Sequence, residues 1–145
     1  MGEKLTCAAA DILNERFGRD SLLSLATVSN GVPHVRIVNS YYEAGSFYVI
    51  TYARSNKMRQ IADNATVAVA GDWFTAHGIG ENLGYIYREE NLAVAKKLES
   101  VFASWFHNGH NDYSDPNTCI LRIRLTDGLL LSHGTRYDID FTKER

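Results

Sequence analysis

The chain has little cysteine: only Cys7 and Cys119 in 145 residues, without CxxC spacing. That excludes a disulfide scaffold and reads as two free thiols in a reducing compartment. No apolar run is long enough to cross a bilayer, and Met1-Gly2-Glu3-Lys4-Leu5-Thr6 lacks the apolar core of a signal peptide. The expectation is a cytoplasmic protein with no membrane association. An excess of charge of one sign is missing too. The formal net charge is -2, and no strand alternates aromatic with basic residues, so nucleic acid is not an expected partner. Catalytic signatures are equally sparse. No GxSxG elbow supports acyl transfer. Gly78-Ile79-Gly80-Glu81-Asn82-Leu83-Gly84 places its third glycine one position late for a dinucleotide fingerprint. His107, His110, Asp112 and Asp115 match neither a helical metal pair nor a calcium loop, so no metal is expected. No side chain stands out as a catalytic acid, base or nucleophile.

What is present is a soluble globular composition, 45% hydrophobic and 22% charged, at a length that fits one domain, 1–145. A helical pattern runs from Glu3 to Phe17, stopped by Gly18. Leu22 to Val28 reads as a strand, and Asn30-Gly31 is a hairpin turn leading into Val32 to Tyr42. Ala44-Gly45 then turns the chain into Ser46 to Tyr52. A short helix, Asn56 to Asp63, precedes the apolar strand Thr66 to Ala70. Trp73 to Tyr87 predicts a strand pair or one long bent strand, with glycines at a bend or a close approach. Glu90 to Trp105 predicts a helix, His107 to Asn117 a polar loop, and Cys119–Leu125 with Leu129–Phe141 a closing hairpin around Asp127-Gly128. So many short antiparallel strands in one small domain close on themselves to remove edges. The expected fold is mainly β, a small antiparallel β-barrel with peripheral helices.

One stretch carries chemistry. Val49 to Tyr52 runs directly into a helix opening with Ser55, Asn56 and Lys57. A helix start offers unpaired N–H groups and a positive dipole end, a ready anion site. A lysine there opposes the dipole by about 0.3–1 kcal/mol unless an anion sits beside it. Arg36 shares a strand face with Val38, while Ile37 and Asn39 face the other way. Alone, Arg36 reads as a snorkelling surface arginine. Next to the Ser55–Lys57 turn, and with the Thr51 hydroxyl at the end of the neighbouring strand, it reads as half of a phosphate clamp. Trp73 and Trp105 read first as core or interface anchors, and either suits a flat ring.

These residues are where a family resemblance enters. Leu25-Ala26-Thr27-Val28, Pro33-His34-Val35-Arg36, Tyr48-Val49-Ile50-Thr51, Ser55 to Ile61 and Val67 to Gly71 resemble, in order and spacing, the pyridoxamine 5'-phosphate oxidase-like proteins with an FMN-binding split barrel. The short general-stress-protein branch is the most similar. The resemblance implies a split β-barrel and a homodimer with FMN at the subunit interface. Arg36, Ser55, Asn56 and Lys57 would hold the phosphate end. The main chain of Ile37, Val38 and Asn39, with Ile50 and Thr51, would meet the ring edge, and Trp105 of the partner subunit would neighbour the ring. It also implies an FMN-dependent oxidoreductase acting on an unknown small-molecule substrate. The alternative is a non-catalytic protein that holds a flavin, haem or deazaflavin on the same barrel. The true oxidases resemble one another in an arginine-rich C-terminal segment with an Arg-Leu-x-Pro motif. This chain has Gly134-Thr135-Arg136-Tyr137-Asp138-Ile139-Asp140-Phe141 there, so vitamin B6 oxidation does not carry over.

Overall fold

The structure, a computed structural model, describes residues 2–143. Its strands are β1 (Glu3–Lys4), β2 (Ser21–Ser29), β3 (Val32–Glu43), β4 (Ser46–Tyr52), β5 (Thr66–Gly71), β6 (Phe74–Tyr85), β7 (Thr118–Ser132) and β8 (Thr135–Asp140). The helices are α1 (Cys7–Phe17), α2 (Asn56–Asp63) and α3 (Leu92–Val101). Strands β2, β3, β4, β7, β6 and β5 pair in that order, and β5 returns to β2, closing an antiparallel barrel. β8 extends the sheet from β7, with β1 parallel to it at the edge.

Local chemistry explains the turns. Asn30 and Gly31 both take positive φ (51° and 74°), as do Ala44 and Gly45 (48° and 86°), the geometry that matches strand twist in tight hairpins. α1 closes one end of the barrel, its buried Leu13 and Phe17 joining Phe47 and Phe74 in the main core. Phe17 and Phe47 meet edge to face at 5.6 Å. A second core packs Ala95 and Leu98 of α3, with Phe102 and Phe106 beyond it, against Tyr41 of β3 and Ile120 of β7.

Four expectations are corrected. The first helix starts at Cys7, because Thr6 caps it by accepting from the Ala9 N–H at 3.2 Å, while Glu3 and Lys4 pair with Ile139 and Asp140. α3 ends at Val101, so Trp105 stands in the turns beyond it. Trp73 is no core anchor: it sits at a hairpin tip with φ 52° and is exposed. Asp127-Gly128 is not a turn but the middle of β7, paired on one side with His77 and Ala76 and on the other with Asp140 and Ile139. Gly128 is needed for closeness: a Cβ there would stand 3.0 Å from the Phe74 ring and 3.1 Å from that of Phe141. The turn falls instead at His133-Gly134, φ 48° and 79°. The glycines of β6 behave as expected, a Cβ at Gly78 meeting the Arg124 carbonyl of β7 at 2.9 Å.

Candidate functional site

The barrel is split between β3 and β4. Their ladder holds for three pairs, Tyr41↔Tyr48 to Glu43↔Ser46, and does not continue past Tyr48. β3 stays bonded to β2 on its far edge and β4 to β7 on its own. The facing backbone edges, 37–39 and 49–51, therefore diverge without ladder partners. Backbone edges without ladder partners need other hydrogen-bond partners, and here they border a cleft of about 410 Å3. Val38, Asn39, Val49, Ile50 and Lys57 line one side, Trp105, Asn108, His110 and Asn111 the other.

At one end lies the cation pair. Alternation along β3 turns Val38 inward and exposes Ile37 and Asn39, as expected. Arg36 shares the inward face and is bolted in place. Its Nη1 donates to Thr27 Oγ1 (2.8 Å) and to the carbonyls of Leu25 (3.2 Å) and His34 (3.3 Å). Its Nη2 donates to Gln60 Oε1 at 3.1 Å, and Thr27 donates to the same oxygen. Strand β2 and helix α2 thus hold one guanidinium between them. Burial pulls its pKa down.

Lys57 donates to Thr51 Oγ1 at 2.6 Å. Burial holds the Lys57 ammonium below its ordinary pKa, and the neighbouring Arg36 charge pushes the same way, while Cys119 opposes both. Among the described residues no carboxylate forms an ion pair with Arg36 or Lys57. Ser55 stands at the N-cap of α2 with extended backbone, yet its hydroxyl makes no cap bond, and the first turn holds no acidic residue. The Ser55 Oγ is buried without a hydrogen-bond partner among the described residues. Asn56, beside it, is exposed. Two uncompensated cations, an orphaned hydroxyl and a bare helix start fit a dianionic oxyanion such as a phosphate monoester.

The opposite wall is held from a distance. Asp20, in the turn before β2, accepts from Asn39 Nδ2 at 3.0 Å and from Trp105 Nε1 at 2.9 Å. One carboxylate therefore sets two cleft-lining side chains. Phe102 stacks on Trp105 with centroids 4.7 Å apart. The loop beyond is pinned by Phe106 stacked on Tyr113 at 4.2 Å, and by Tyr113 Oη donating to the Phe106 carbonyl at 2.7 Å. Trp105, expected from a partner subunit, borders the cleft of its own chain.

The structure thus gathers Val38, Asn39, Ile50, Lys57 and Trp105 at one cleft, with Arg36, Thr51 and Ser55 at its cationic end. Ile37 lies exposed beside it. Sequence reasoning missed Asp20, Thr27, Gln60, Asn108, His110 and Asn111. Asp20 carried no readable signal, whereas Thr27 and Gln60 flank Arg36 only after β2 and α2 are folded against β3. A larger groove of about 980 Å3 runs over the outer faces of β2, β5, β6 and β7. Among the described residues it is lined by no Arg or Lys and by none of the clamp residues, so the smaller cleft is the functional candidate.

Comparison with known proteins shows the family and the fold. The family model described as pyridoxamine 5'-phosphate oxidase matches residues 9–130, and the chain belongs to that family. It is 25% identical over 114 residues to General stress protein 26 of Bacillus subtilis, covering 78% of this chain and 81% of that one. A FAD-binding protein of Mesorhizobium loti shares the fold at TM-score 0.61 and 17% identity, with 88% of this chain and 95% of that chain covered. A heme binding protein of Mycobacterium smegmatis does so at TM-score 0.61 and 14% identity, covering 86% and 54%.

Proposed function

Taking membership of the pyridoxamine 5'-phosphate oxidase family as premise, we propose that this chain is an FMN-binding oxidoreductase for a small-molecule substrate. It works as a cytoplasmic homodimer with FMN at the subunit interface. The observation that carries the reading is the anion-shaped deficit at α2: an orphaned Ser55 hydroxyl at the N-cap, Lys57 in the first turn and Arg36 as its charged neighbour, neither cation paired with a carboxylate among the described residues. FMN fits that deficit because it ends in one phosphate monoester.

Arg36, Ser55 and Lys57 would hold the phosphate, with Asn56 supplying a backbone N–H at the helix start. The open edges at 37–39 and at Ile50 and Thr51 would hydrogen-bond the ring, and Trp105 would cover part of the cleft and exclude water. The flavin, when bound, supplies hydride chemistry that needs no protein nucleophile. That agrees with the absence of a catalytic acid–base motif in the sequence.

Self-association is supported by the outer face of β2 and β3. Leu22, Val35 and Ile37 are 65%, 70% and 67% exposed on one face of the paired strands β2 and β3, an apolar cluster that marks an interface. Among the described residues no helix is long and apolar enough to cross a membrane.

Fluorescence-quenching titration tests the phosphate argument. FMN is expected to bind more tightly than riboflavin by at least about 1.5–3 kcal/mol, the range for a hydrogen bond to a charged group. Equal affinities refute the clamp. Turnover is tested by anaerobic reduction of the bound flavin with a nicotinamide donor and reoxidation by small acceptors. A bound flavin that never bleaches makes the chain a flavin carrier.

A further inference from the structure

We propose that His110 is a hydrogen-bond donor of the cleft, held as its Nε2–H tautomer by Asn108, and that it donates to an acceptor atom of the bound flavin ring. This deepens the FMN reading and rests on it. The assignment follows from two contacts between Asn108 and His110 in the loop beyond α3. Asn108 Oδ1 accepts from the backbone N–H of His110 at 3.0 Å. A backbone N–H only donates, so the oxygen end of the amide is identified. The nitrogen end, Nδ2, then lies 3.3 Å from His110 Nδ1. An amide nitrogen also only donates, so the geometry points to Nδ1 as acceptor, which puts the proton of the neutral ring on Nε2.

Among the described residues His110 is the one histidine lining the cleft, which Lys57 lines too. The others are engaged or placed elsewhere: His107 pairs with Glu99 at 2.8 Å and His77 with Asp127 at 2.9 Å on the outer face. The tautomer decides what His110 can do. A haem ligand needs a nitrogen lone pair free, normally with the other ring nitrogen donating outward. Here Nδ1 is spent as an acceptor and Nε2 carries a hydrogen. A flavin ring edge presents carbonyl oxygens and ring nitrogens, all acceptors, and asks for donors. Lys57 and Asn111 bring donors to the cleft too, and among the described residues no carboxylate lines it. The Phe106–Tyr113 stack and the Thr118 Oγ1 bond to the Asp112 carbonyl at 2.7 Å keep the loop in place before any ligand arrives.

The test uses the full chain, labelled with 15N at histidine, as wild type, His110→Phe and Asn108→Asp. In Asn108→Asp one carboxylate oxygen keeps the turn while the other draws the imidazole proton to Nδ1. NMR of the imidazole nitrogens at alkaline pH should show Nε2–H in the wild type and Nδ1–H in Asn108→Asp. FMN affinity should fall about tenfold in both variants, with melting temperatures unchanged. Haemin titration should give a spectrum in which the wild type and His110→Phe are alike. An Nδ1–H wild type, FMN affinity indifferent to His110→Phe, or a haemin band lost in that variant each overturns the proposal. Wild type that binds FMN in a Lys57-dependent way but ignores His110 sinks only this inference. Wild type that binds no FMN sinks the flavin reading and this inference with it.

Discussion

Replacing Lys57 with Met should separate cofactor binding from folding. The substitution keeps the aliphatic stem and removes the ammonium. In the apo chain two effects oppose. The bond to Thr51 Oγ1, 2.6 Å, is lost, at a cost of about 1 kcal/mol. Against that, a cation that opposes the helix dipole is removed, a relief of about 0.3–1 kcal/mol. Burial and Arg36 already disfavour its charge, which adds to the relief. The apo protein should therefore unfold in urea within about 1 kcal/mol of wild type. FMN loses a charge-assisted contact worth about 1.5–3 kcal/mol, a rise in Kd of about 10- to 150-fold. The linkage sign is specific. The folded-state pKa of Lys57 lies below its unfolded value, so between the two the unfolded chain binds more protons. Apo wild type should then gain stability as pH rises through that alkaline window, and Lys57→Met should lose that gain. A bound phosphate favours the charged form and should flatten the same slope. Titration by flavin fluorescence and urea melts across pH measure all of this. A variant that loses fold and cofactor together, or binds FMN as wild type does, refutes the clamp.

Gln60→Ala removes the acceptor that ties Arg36 and Thr27 to α2, so FMN affinity should drop several-fold, with far-UV circular dichroism unchanged; wild-type affinity would show that Arg36 needs no such anchor. Burial pushes the Cys119 thiol up to about 11, with Lys57 opposing, while Cys7 is exposed. Iodoacetamide at neutral pH should therefore label Cys7 alone until the chain unfolds, and rapid native labelling of Cys119 by mass spectrometry would contradict its burial. Ile37→Asp places a charge in the exposed apolar cluster and should shift light scattering toward monomer on dilution, with FMN binding weakened in step; an unchanged dimer would move the interface elsewhere.

How far the molecule could be read from its sequence follows the range of the interactions involved. The hairpin turns at Asn30-Gly31 and Ala44-Gly45 and the helix Asn56–Asp63 were legible because each depends on neighbours within a few residues. Arg36 was legible as a candidate because the Ser55–Lys57 turn follows so soon after its strand, whereas alternation alone left it a surface arginine. Asp127-Gly128 misled for the same local reason: the dipeptide favours a turn, but β6 and β8 both pair across it, and the ladder outweighs the local preference. The supporting residues were illegible in a different way. Asp20 meets Trp105 across 85 positions, and Thr27 meets Gln60 across 33. No periodicity or motif encodes such pairs, since each partner is an ordinary polar residue until the barrel closes. The parts of a site that touch a ligand are recognised by their own chemistry, as a lysine at a helix start is. The parts that aim them are recognised only by their geometry. Asp20 is the sharpest case, because it sits outside every motif and yet sets both Asn39 and Trp105. A second sequence with the same clamp but a different residue at that position would need another group to hold the indole.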